Sequence, residues 1–145
     1  MNEKARRQRL ARSNMHFRYV VRERDCESGR ELGFFQRAYK VRNNEIEADT
    51  WIREELWIEL DWFNLNLDVP TRFGRHTGRR GWVEGICWFR PEASEAINRA
   101  RYVSWLMTEA GVPVEELRRD NPGEVIWWDD LQVVAKPPRD LRRAF

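Results

Sequence analysis

Apolar positions recur at helical spacing over residues 49–67, DTWIREELWIELDWFNLNL, and at about 100° per residue they divide into two stripes. Ile52, Leu56, Leu60, Phe63 and Leu67 form one, and Trp51, Ile58, Trp62 and Leu65 form the other. Glu55, Glu59 and Asn66 occupy the arc between the stripes, while Arg53, Glu54, Asp61 and Asn64 share the far side with Trp57. A helix that is apolar on two sides needs two covers. The Trp51/Ile58/Trp62 stripe therefore requires another helix, the chain ends or a partner. Asp49 or Thr50 is placed to cap the start, and Pro70 stops the helical pattern soon after its end.

Elsewhere the pattern is shorter. Residues 16–24 alternate, with Phe17, Tyr19 and Val21 on one side and Arg18, Val20, Arg22 and Arg24 on the other, a half-buried strand with an Arg-lined outer face. Residues 33–42 fit either period, and a short helix is preferred. The stretch TRFGRHTGRRG, 71–81, reads as a loop from its glycines and its charge. Residues 82–89 read as one strand, central and covered on both faces because Ile86, Cys87, Trp88 and Phe89 are consecutive. Pro91 opens a second long helix with Ala93, Ala96, Ile97, Ala100, Val103 and Met107 on one stripe, and Gly111 caps its end.

Three strands then follow. Pro113 restricts 112–118 to an edge, or itself to the strand's opening residues, and 125–128 and 131–135 pair around Asp129-Asp130. That loop places Ile126, Trp128, Leu131 and Val133 on one face and Val125, Trp127, Gln132 and Val134 on the other. The expected class is α+β: a mixed, largely antiparallel sheet of four to six strands, two long helices and a C-terminal three-strand meander. A crossover joins the strands of Trp88 and Val114, parallel if they share a sheet.

A chain of 145 residues suits one domain, expected over 15–136 between basic tails at 1–14 and 137–145. At 41% hydrophobic and 34% charged residues, disorder of the whole chain is excluded. The absence of a long apolar run or secretion signal predicts a cytoplasmic protein with no membrane association. Cys26 and Cys87 do not suggest a disulfide. The net charge of +2 conceals +4 over residues 1–13 and +3 over residues 136–145, which leaves the body acidic.

Candidate chemistry is sparse. No cofactor, metal site or catalytic set is expected: His16 and His76 are the only histidines, and Cys87, the one thiol near a His in sequence, reads as a core residue. Asp129-Asp130 reads as a turn. Three function classes remain. The leading expectation is a non-enzymatic interaction or regulatory protein that binds a protein partner, or itself, through Trp51, Ile58, Trp62 and Trp127. The second is nucleic-acid binding by Arg6, Arg7, Arg9, Arg18 and Arg22 together with Arg72, Arg75, His76, Arg79 and Arg80. The acidic body weighs against it. The third places a phosphate-containing small molecule in that Arg/Gly/His loop, although no phosphate-loop signature is present.

Overall fold

The computed structural model describes residues 14–22, 33–76 and 82–138, without the side chains of 74–76 and 82–83. Three helices are found among them: α1 (Phe34–Arg42), α2 (Thr50–Asn66) and α3 (Ser94–Glu109). The strands are β1 (His16–Val21), β2 (Gly74–His76), β3 (Trp82–Glu84), β4 (Ile86–Phe89), β5 (Val114–Arg119), β6 (Glu124–Trp128) and β7 (Gln132–Lys136). Five of them form one antiparallel sheet in the order β5-β1-β4-β7-β6, and β2 and β3 pair as a separate ribbon. The expected α+β class holds. The three C-terminal strands form as expected, but only β6 and β7 are neighbours, for β5 lies at the opposite edge. β4 and β5 run in the same direction, with β1 between them.

The chain divides into two compact units. A helical unit comprises Tyr19–Asp68 and Glu95–Leu117, and a sheet-based unit takes in Val69–Ser94 and the chain from Arg118, with β1 up to Arg18. In the helical unit, Ile52, Leu56, Leu60 and Phe63 of α2 are buried, as are Ala96, Ile97, Ala100, Val103, Leu106 and Met107 of α3. Phe34, Ala38 and Val41 bury one side of α1, which settles the ambiguous segment as a helix. Tyr19 meets Phe34 at 5.5 Å between ring centroids, and Phe35 meets Phe63 at 5.0 Å, so the end of β1, α1 and α2 share one aromatic core.

Both ends of the second long helix are instructive. Pro91 does not occupy its first turn: residues 91–92 make a separate turn, Ala93 N–H donates to Arg90 O, and the helix starts at Ser94. At the other end Gly111 adopts φ 85°, with Val112 N–H on Met107 O and Gly111 N–H on Thr108 O. That left-handed stop is the one expected of Gly111.

In the sheet-based unit the expected strand over 82–89 is broken at Gly85 into β3 and β4. Gly85 N–H bonds Phe73 O, and a Cβ at this position would come within 2.9 Å of that oxygen. Part of the expected Arg-rich loop is therefore strand: Gly74, Arg75 and His76 pair with Glu84, Val83 and Trp82. The β6–β7 hairpin is also shifted. Asp129 N–H bonds Gln132 O, and Asp129 Oδ1 accepts from the N–H groups of Leu131 and Gln132, so the tip is Asp130-Leu131 rather than Asp129-Asp130. A bulge between Val125 and Trp127 pairs Val125 with Ala135 and Trp127 with Val134. It moves Val125 onto the face of Trp128 and Val133.

β1 departs from expectation as well. Tyr19, Val20 and Val21 are all buried, because an interior strand is covered on both faces, so among the described residues the outer side is not lined by Arg throughout; Arg24 lies outside them.

Candidate interaction surface

The two stripes of α2 have opposite fates. Ile52, Leu56, Leu60 and Phe63 are buried, while on the second stripe Trp51 is 44% exposed, Ile58 59% and Leu65 86%, with Trp62 half-buried. Asp49 stands at the N-cap position without a side-chain capping bond, and the helix ends as Leu67 turns extended. Trp57, on a third side, is stacked by the Arg42 guanidinium 3.9 Å from its ring centroid. The same guanidinium lies 4.4 Å from the ring of Tyr39.

α3 adds residues that extend the exposed stripe. Trp105, 49% exposed, lies 5.9 Å from Trp51 and 6.0 Å from Tyr102, whose ring is nearly parallel to its own. Arg99 extends over Trp62 at 4.7 Å, binds Glu59 Oε2 at 3.0 Å through Nη1 and reaches Glu95 Oε1 at 3.2 Å through Nε. Glu59 is nearly buried, and Arg99 supplies the positive charge it needs. Burial, then the adjacent Glu55 carboxylate, pushes the Tyr102 phenol above its ordinary range. The result is a face on which Trp51, Ile58, Leu65 and Trp105 are exposed and Tyr102 is half-buried, with Trp62 under Arg99. Reading only the apolar stripe of α3 misses Arg99, Tyr102 and Trp105. The available signal is that both aromatics lie off that stripe.

Of the predicted partner-binding residues, Trp51, Ile58 and Trp62 come together on this face. Trp127 belongs to the sheet-based unit, half-buried on β6. Of the predicted anion-binding residues, Arg18 lies over the Trp88 ring at 5.6 Å, and Arg22 holds Glu115 at 2.5 Å. Arg72 is exposed, and Arg75 and His76 lie on the β2–β3 ribbon. Arg6, Arg7, Arg9, Arg79 and Arg80 lie outside the described residues.

Cys87 is not a core residue: it keeps an exposed surface. Its thiol donates to Gln132 Oε1 at 3.2 Å, and local desolvation with the nearby Asp129 carboxylate pushes it up to about 12, which leaves it protonated and unreactive near neutral pH. A shallow depression lined by His16, Arg90, Val125, Trp128 and Val133 opens beside β6. Its cation is already engaged, since Arg90 donates to Asp129 O at 2.9 Å and lies 3.4 Å from Glu92. Among the described residues no group of three His, Cys, Asp or Glu is placed to hold a metal, and no helix is long and apolar enough to cross a membrane.

Compared with family models, with curated proteins and with solved structures, the chain matches none.

Proposed function

We propose that this protein acts without chemistry of its own, as an interaction or regulatory protein that engages a protein partner through the α2/α3 aromatic face. One observation carries the reading: Trp51, Ile58 and Trp105 are exposed on two helices that meet through Trp51 and Trp105 and whose other stripes are buried. Large aromatic side chains next to aliphatic ones are what binding surfaces concentrate. Arg99 also joins the two helices, pairing with Glu59 of α2 and Glu95 of α3. A photo-crosslinking amino acid at position 58, irradiated in cells, tests the reading. A discrete protein adduct that Trp105→Ala weakens is expected; recovery of the uncrosslinked chain alone would refute it.

The β2–β3 ribbon supports a second reading, nucleic-acid binding. Arg75 and His76 lie on a two-stranded element separate from the five-stranded sheet, and a two-stranded ribbon has dimensions that suit a major groove. Fluorescence anisotropy with labelled single- and double-stranded oligonucleotides across a salt series checks it. Binding should weaken steeply with salt and fall when Arg72 and Arg75 become Ala; no binding at low salt removes this reading.

A further inference from the structure

Resting on the interaction reading above, we infer that the occupant of the α2/α3 face is a basic amphipathic helix of another protein. The exposed anchors on α2 are Trp51, Ile58 and Leu65, seven residues apart, so they form a straight line of roughly 21 Å along the helix. A partner helix laid along that line presents its own apolar residues at matching intervals, as in shallow-angle helix packing. An extended strand has a different repeat and would meet the anchors out of phase.

Charge decides the rest. Glu54 and Asp61 are exposed one step outside the anchor line, and Glu55 lies on its other side; neither Glu54 nor Asp61 makes an ion pair among the described residues. Arg53 is the one cation of α2, and on the helical wheel it falls on the side away from this line; Arg99 of α3, over Trp62, is already paired with Glu59 and Glu95. A partner flanked by Lys or Arg therefore satisfies the rim. A second copy of this chain, packed antiparallel about Ile58, sets Asp61 against Glu54 of its mate and gains like-charge repulsion at both ends.

The test uses the full chain and three labelled synthetic peptides of about five helical turns, followed by fluorescence anisotropy. One carries Leu on one face and Lys on the other, the second Leu and Glu in the same pattern, and the third the first peptide's residues in an order without helical periodicity. The Leu/Lys peptide is expected to bind at least about tenfold more tightly than either control. Ile58→Asp should abolish its binding, and the Glu54→Lys/Asp61→Lys double variant should transfer the preference to the Leu/Glu peptide. All of these positions are exposed, and an unchanged circular dichroism melt verifies that each variant is folded. Equal binding of the Leu/Lys peptide and its scrambled form, or a preference that the double variant does not move, overturns the inference. So does a concentration-dependent dimer in sedimentation that Ile58→Asp dissolves. A crosslinked adduct at position 58 combined with any of these failures would leave a partner-binding face whose partner is not a basic helix; no adduct would remove both.

Discussion

The two sides of α2 are made from the same kinds of residue and do different things. Leu56 and Leu60 have no exposed surface, and Ile58, two residues from each, has more than half of its own. Composition cannot separate them, since both stripes contain aliphatic and aromatic side chains. Position does: the Leu56 side joins the Tyr19, Phe34 and Phe63 core, whereas the Ile58 side keeps large exposed side chains and meets α3 through Trp51 and Trp105. An apolar stripe states that cover is needed and leaves open whether the chain itself supplies it.

The sharpest test of that contrast is Leu56→Ala, which should cost about 2–5 kcal/mol and lower the urea midpoint with an unchanged slope. A cost below about 1 kcal/mol would mean that the buried side is no better packed than the open one. Tyr19→Phe comes next. Its hydroxyl donates to Glu116 at 2.8 Å, a bond that Arg101 supports from the other side at 2.7 Å, and its loss should cost about 1 kcal/mol at neutral pH. Burial first, then Glu116, raises the Tyr19 pKa above its ordinary value of 10.0. The folded chain therefore holds this proton more tightly than the unfolded one. The resulting stability is complete below pH 10.0 and is lost as pH climbs toward the folded value, so an alkaline melting series should fall less steeply for the Phe variant.

Smaller effects probe the outward sides. Trp57→Ala removes one wall of the stack around Arg42 and should cost about 0.5–1 kcal/mol, read from thermal melts. Ile58→Asp should lie within about 0.5 kcal/mol of the parent in the same melts. If it unfolds the chain instead, the side taken as open is core, and the proposed function goes with it.

Much of this contrast is legible in the sequence. The two stripes of 49–67, the small-residue stripe from Ala93 to Met107 and the Gly111 stop all follow from local periodicity and backbone preference, and all are realised. What escapes reading depends on distant partners. Gly85 breaks its strand because Phe73 O approaches its backbone closely, and the Val125–Trp127 bulge is a matter of register against β7. Neither leaves a period in the chain. For the same reason the Val125/Trp127/Val134 face, plausible from strict alternation, does not exist. The aromatic partners on α3 escape for a different reason: Tyr102 and Trp105 fall off the apolar stripe that marks the helix's buried side.

The position of β1 in the sheet sets the order of assembly. Its pairing partner Phe89 comes 72 residues after Phe17, and its other neighbour, β5, is complete only at Arg119. During synthesis the first strand of the sheet emerges long before either flank exists to receive it, whereas α1 and α2 meet across a loop of a few residues. The helical pair can form early and quickly, and closure of the sheet around β1 carries the entropy of the longest loops and sets the overall rate.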